Sequence, residues 1–274
     1  MALIHPGKSG PVPLHREANF TEMAQTDCAD MCIFLGSYWP YSTSSYESRL
    51  VKAFKESTPS VEFQPQLSCL VDFYAREIVN RIPDIHFNNI VRALSSSETI
   101  VDKTRPQSLL IKKVCDLTKA VDSSEVFYRS QPRVPMRMVS NLSGAIALNQ
   151  RLKYAAQDLM CRPLQLGEKV IVIDDIANTG ATMRLIAWTL KHYFGVKEVW
   201  CINLAITRYG GGKDGKGHLE LDTASIITKP GFSPVRVDEK EFYHRSESCI
   251  STSGKGTIAP LFFAQKRYKR CPYC

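Results

Sequence analysis

The sequence predicts an α/β fold with a central, mainly parallel sheet flanked by helices. Three observations carry this prediction. Residues 170–173 are four consecutive apolar positions that run into two aspartates, a loop of small residues and an amphipathic helix. A second strongly apolar segment, "EVWCINLAITRYG", follows that helix. Upstream, shorter strand-like and helical segments alternate in the way that builds a parallel sheet covered on both faces. A chain of 274 residues with 44% hydrophobic content can bury a substantial core.

Taken in order, residues 1–44 are rich in Pro, Ser and Thr with only short apolar runs, which predicts an irregular N-terminal extension. "SYESRLVKAFKES" then places Tyr46, Leu50, Val51 and Phe54 at helical spacing behind a serine cap. "CLVDFYAREIVNRI" repeats that spacing with Leu70, Phe73, Tyr74, Ile78 and Ile82. "FNNIVRALSSSET" (87–99) reads as a strand that ends in a serine loop. "QSLLIKKVCDLTKAV" is a helix, and "SEVFYRS" is the next strand. Residues 129–141 hold Arg129, Arg133 and Arg137 with two prolines and no regular pattern, the mark of a long loop. "LSGAIALNQRLKYAAQDL" is helical. The helix after the small-residue loop sets Leu185, Ile186, Thr189, Leu190 and Phe194 on one face and stops at Gly195. From Gly210 the texture turns to glycine and polar residues, so 45–209 form the core and 210–274 a cap with a basic tail.

Composition narrows the function. No run of about 18 apolar residues occurs, and the start lacks the order of a secretion signal, so a cytoplasmic protein with no membrane span is expected. The net charge of +8 suits nucleic acid, an anionic surface or a phosphorylated small molecule. Part of it is local. Lys266, Arg267, Lys269 and Arg270 lie in the tail, either a solvated segment or an arm for a nucleic acid or protein partner. Nine cysteines in such a chain point to thiols or metal ligands. Cys28 and Cys32 are one helical turn apart and Cys271 and Cys274 have the spacing of a zinc knuckle. Together they would suit one structural Zn2+ bound by four thiolates; the alternative is ordinary thiols. Gly210, Gly212 and Gly215 imitate glycine-rich phosphate motifs, but no helix pattern follows them and they read as a turn.

Asp174 and Asp175 stand at the carboxyl end of the predicted strand, the edge of an open α/β sheet at which ligands bind. Like charges side by side need hydroxyl donors, cations or a cationic transition state to offset their repulsion. A ribose offers two hydroxyls. The following loop, Ala177, Asn178, Thr179, Gly180, Ala181 and Thr182, offers amides and hydroxyls for a phosphate at a helix N-terminus.

On these residues "VIVIDDIANTGAT" resembles the phosphoribosyl diphosphate motif of type I phosphoribosyltransferases, with Asn178 where a threonine is usual. The flanks "YESRLVKAFKES", "CLVDFYAREI" and "NQRLKYAAQDL" look most like the competence-protein ComF branch, over about residues 45–208. Two features depart from that branch. Its paired N-terminal zinc-ribbon cysteines are absent, and "RALSSSET" replaces the usual diphosphate loop.

The resemblance implies a phosphoribosyltransferase-type sheet with an N-terminal helical elaboration and a C-terminal cap. It also implies phosphoribosyl diphosphate with Mg2+ as ligand and phosphoribose transfer to an unidentified acceptor with diphosphate release. Asp174 and Asp175 would hold the ribose hydroxyls and residues 177–182 the 5-phosphate. Arg92, Ser95, Ser96 and Ser97 would hold the diphosphate, with the loop arginines closing over it or simply solvated. A homo-oligomer is expected. The competing expectation is a module that senses the ligand or binds a partner without turnover, in DNA uptake, mobile-element or antiviral systems.

Overall fold

The computed structural model describes residues 12–13, 20, 23, 28–35, 37–38, 46–56, 64–82, 86–135, 148–177, 180–207, 219–220 and 235–236. Along the chain these form β1 (Val12–Pro13), β2 (Met31–Phe34), β3 (Ser37–Tyr38), α1 (Tyr46–Lys55), α2 (Gln64–Arg81), β4 (Asn89–Arg92) and α3 (Pro106–Thr118). There follow β5 (Val121–Asp122), a 3-10 turn (Ser124–Val126), β6 (Phe127–Arg129), α4 (Leu148–Ala156), β7 (Leu159–Cys161), β8 (Lys169–Ala177), α5 (Ala181–Tyr193) and β9 (Glu198–Thr207). A two-residue antiparallel pair joins Leu219–Glu220 to Val235–Arg236.

The central sheet runs β2-β9-β8-β4-β5 and every pairing in it is parallel, with β3 continuing along β9. It is an α/β sheet with helices on both faces, as the apolar runs predict. Successive residues of a strand point to opposite faces. Val170 and Val172 accordingly join Leu185, Ile186 and Leu190 of α5, while Ile171 and Ile173 join Leu70, Tyr74 and Ile78 of α2 and Leu110 and Val114 of α3. The register sets Arg92 against Ile173 and Asp174 against Asn203, so the ends of β4, β8 and β9 share one edge.

Four local expectations change. Met31–Phe34, within the segment expected to be irregular, is a buried strand paired with β9; its short "MCIFL" run is outweighed by the polar composition around it. The strand predicted at "SEVFYRS" is β6, but it pairs with β7 in a separate antiparallel sheet, β1-β7-β6. The helix predicted over 107–121 begins one residue earlier, with Pro106 in its first turn. It ends at Thr118 because Lys119 takes a left-handed conformation (φ 64°) and its N–H caps Cys115 O at 2.7 Å, which frees Val121–Asp122 to form β5. The helix predicted through Leu159 ends at Ala156, and Leu159 opens β7. Gly195 has φ 68°, which supports the predicted stop of α5. Among the described residues no helix is long and apolar enough to cross a membrane.

Candidate functional site

The acid pair lies in the last part of β8, where the hydrophobic run has ended and the strand emerges between β4 and β9. Alternation splits the two carboxylates between the faces of the sheet. Asp175 turns toward α1 and α3 and is 2% exposed. Its Oδ1 accepts from Lys55 Nζ of α1 at 2.8 Å, and its Oδ2 accepts from Gln107 Nε2 of α3. Asp174 faces the side of α5, is part-buried, and accepts the Asp175 N–H at 2.8 Å. Withdrawal from water and the neighbouring Asp175 charge push the Asp174 carboxyl up to about 7, against the opposing pull of Lys55, the Asp175 amide and Arg92. Asp174 is thus the member of the pair with no ion pair of its own among the described residues, and burial holds its carboxyl up toward the neutral range.

After β8 the chain turns into α5. Asn178 and Thr179 lie outside the described residues. Gly180 caps α5 in a left-handed conformation (φ 71°) without a side-chain capping bond, while Ala177, Gly180 and Ala181 are buried and Thr182 is part-buried. The first amides of a helix have no carbonyl partner within it, and the helix dipole there favours an anion.

The serine loop hangs from the end of β4, directly beside β8. Ala93 N donates to Ile173 O at 3.0 Å. Ser95 and Ser96 are part-buried and Ser97 is exposed, with Ser95 Oγ and Ser97 Oγ 3.4 Å apart. Arg92 does not point into this loop's mouth. Its guanidinium is 1% exposed and gives a two-pronged bond to Glu98, Nη2 to Oε1 at 2.6 Å and Nη1 to Oε2 at 3.0 Å, and a further bond to Gln107 Oε1 at 3.1 Å. Glu98 also accepts the Ser95 N–H at 2.8 Å, and Arg105 donates to Ser97 Oγ at 3.1 Å. The loop is thus tied from below by a buried cluster of ions.

Two of the three loop arginines, expected either to close over the diphosphate or to be solvated, lie beside the serine loop at this edge. Arg129 ends β6, 3% exposed, and its N–H donates to Thr99 O at 2.7 Å; Arg133 N donates to Ser96 O at 2.9 Å. Arg129 Nε and Nη1 are buried with no hydrogen-bond partner, as is Arg133 Nε. Burial, then the nearby Arg133, pushes the Arg129 guanidinium down to about 9, which leaves it protonated at neutral pH. Buried N–H groups on a charged side chain are costly unless an acceptor meets them. Arg137 lies outside the described residues.

The proposed thiolate cluster fares differently. Cys28 precedes β2 and Cys32 lies within it, so the two do not share a helix. They are 4% and 1% exposed in the apolar cluster beneath α5, and the Cys28 thiol lies 3.7 Å from Met23 O. A zinc site would have to draw both out of the core. Among the described residues no group of three or more His, Cys, Asp or Glu is placed to hold a metal. Cys271, Cys274 and the basic tail lie outside the described residues.

No family model matches the chain. It is similar to hypoxanthine/guanine phosphoribosyltransferase of Methanocaldococcus infernus, 28% identical over 136 residues that cover 42% of this chain and 72% of that protein. It is similar also to HGPRTase-like protein 2 of Haloterrigena turkmenica, 25% identical over 39% of this chain and 56% of that protein. Hypoxanthine/guanine phosphoribosyltransferase of Methanococcus maripaludis is 28% identical over 44% of this chain and 62% of that protein. The chain thus spans under two thirds of the length of the latter two. Among solved structures, an adenine phosphoribosyltransferase covers 61% of this chain and 76% of its own at 13% identity and a TM-score of 0.30. These relatives bear purine phosphoribosyltransferase names and lend no support to the ComF branch. Over part of its length the chain is thus similar to proteins that bear phosphoribosyltransferase names, and the motif that resembles the type I superfamily lies at the end of β8 in a parallel sheet.

Proposed function

We propose that the chain binds phosphoribosyl diphosphate with Mg2+ and transfers phosphoribose to an acceptor with release of diphosphate. The observation that carries this reading is the meeting, at one sheet edge, of an acid pair, an uncapped helix start and a serine loop backed by arginines with unpartnered N–H groups. Asp174 and Asp175 hold the ribose hydroxyls, and residues 177–182, Asn178 and Thr179 among them, hold the 5-phosphate. Ser95, Ser96 and Ser97 receive the diphosphate together with Arg129 and Arg133, while Arg92 acts from behind the loop by fixing Glu98. A hard divalent cation fits this donor set, because its ligands would be oxygens and the Asp174 carboxylate is bonded only by the Asp175 N–H among the described residues. Bound with the ligand, Mg2+ would neutralise charge on the leaving diphosphate.

The bond from the anomeric carbon to the diphosphate oxygen breaks as the acceptor bonds to that carbon. The ribose gains positive charge as this happens, and two carboxylates beside it lower the energy of that charge. The arginines hold the departing anion. The names of the relatives make hypoxanthine and guanine the first acceptors to test. Diphosphate release on mixing the full chain with phosphoribosyl diphosphate, Mg2+ and a panel of nucleobases, nucleosides and nucleic acids is the expected result. Tight ligand binding without release for any acceptor would favour the sensing module instead. Asp175 already being satisfied by Lys55 and Gln107 is the feature that suits such a binding-only role.

A further inference from the structure

Between the diphosphate loop and the acid pair runs an unbroken line of polar contacts. Ser97 Oγ accepts from Arg105 Nη2 (3.1 Å), and Arg105 Nε lies 3.3 Å from Glu98 Oε1. Glu98 takes the two-pronged bond from Arg92, Arg92 Nη1 donates to Gln107 Oε1 (3.1 Å), and Gln107 Nε2 donates to Asp175 Oδ2. Arg92, Glu98, Arg105, Gln107 and Asp175 are each at most 7% exposed, so water does not compete for these bonds. The chemistry dictates which side chain can stand at the junction. A guanidinium only donates and an ionised carboxylate only accepts, so the bridge must offer an acceptor at one end and a donor at the other. A glutamine amide does both, and its two neighbours fix its orientation.

We infer that Gln107 is a positioning residue that couples the two halves of the ligand site, so that occupancy of the diphosphate loop and occupancy of the acid pair strengthen each other. This rests on the phosphoribosyl diphosphate reading above. The mechanism is mutual ordering. An anion on Ser95–Ser97 and the loop amides draws the loop into one arrangement. Glu98 and Arg92 move with that loop, and Gln107 transmits the arrangement to the Asp175 carboxylate. Lys55 holds the far side of Asp175, so Gln107 sets the carboxylate's rotation about a fixed pivot. An apolar residue at 107 leaves Asp175 its bond from Lys55 and Arg92 its two-pronged bond to Glu98, so each half-site keeps an anchor while the link between them is cut.

The test is calorimetric titration of the full chain, in Mg2+ buffer, with inorganic diphosphate and ribose 5-phosphate singly and together. In the parent each ligand is expected to tighten the other about fivefold or more. In Gln107→Leu that factor falls below about twofold, while each affinity measured alone stays within about threefold and the far-ultraviolet spectrum is unchanged. Gln107→Met serves as a second variant should the leucine chain fail to fold. It nearly keeps the volume but offers neither an N–H to Asp175 nor an oxygen to Arg92, and its coupling is expected to be lost as well. A merely structural glutamine would lower both single affinities and leave their mutual enhancement as it was. Equal coupling in parent and variants, or ligands that bind the parent without enhancing each other, overturns the inference alone. Failure of both ligands to bind the parent overturns the phosphoribosyl diphosphate reading and the coupling with it.

Discussion

Adjacent in sequence and chemically identical, Asp174 and Asp175 have opposite surroundings, and their substitutions should differ in sign. The folded Asp174 carboxyl titrates near 7, well above its value in an unfolded chain. Below about pH 4 it is protonated in both states and adds nothing. Between about 4 and 7 the folded state keeps a proton that the unfolded chain releases, so stability falls as pH rises, and above 7 the full cost is present. Asp174→Asn should therefore stabilise the chain at pH 8 by about 1–2 kcal/mol after allowance for partial solvent screening, with no gain near pH 4, as read by urea unfolding across pH. Asp175→Asn should destabilise it by about 1–2 kcal/mol at pH 8, because it weakens the acceptor on which Lys55 and Gln107 converge. Arg129 supplies a third test at this scale. Its buried N–H groups await an acceptor, so Arg129→Met should melt no lower than the parent. It should also bind inorganic diphosphate about tenfold or more weakly, which titration calorimetry reads directly.

At the scale of elements, β2 separates the observed fold from a core with a loose N-terminal arm. Ile33 is 3% exposed and packs in the cluster that contains Trp200, Ile202 and Leu204 of β9. Ile33→Ala should cost about 2–4 kcal/mol in chemical unfolding, as for a core truncation elsewhere; a cost under about 0.5 kcal/mol would mean that β2 is an appendage. The elements also show why some helices hide functional residues. Gln107 lies in the first turn of α3 and Lys55 in the last turn of α1, and a polar residue on an amphipathic helix reads as part of its solvent face. Only the crossing of both helix ends over the end of β8 turns them toward Asp175.

For the whole molecule, the site is assembled from β4, β6, β8, α1, α3 and the start of α5, so a ligand that spans it ties distant parts of the chain together. Phosphoribosyl diphosphate with Mg2+ should raise the melting temperature, since a ligand confined to the native state at 100 times its Kd adds about 2.7 kcal/mol. Ribose 5-phosphate, which reaches only part of the site, should shift it less. No shift with millimolar phosphoribosyl diphosphate would remove the basis for the proposed site. The same long-range assembly explains why Arg92 misleads. Next to a serine loop in sequence it reads as a contact for the diphosphate, yet as the last residue of β4 its side chain turns inward, where Glu98 neutralises it.

The sequence by itself determined what depends on neighbours along the chain. Four apolar residues before two acids specify a buried strand with charge at its mouth. The amphipathic run after the small-residue loop specifies a helix, and Gly195 specifies where that helix stops. Tertiary structure alone decided which carboxylate is paired, because Lys55 and Gln107 reach Asp175 from 120 and 68 residues away. It likewise decided that Arg129 is buried and partly unpartnered, that Cys28 and Cys32 belong to the core, and that "MCIF" completes the sheet. Burial and charge compensation depend on every element packed around a group, whereas a strand, a turn or a helix stop is settled within a few residues of itself.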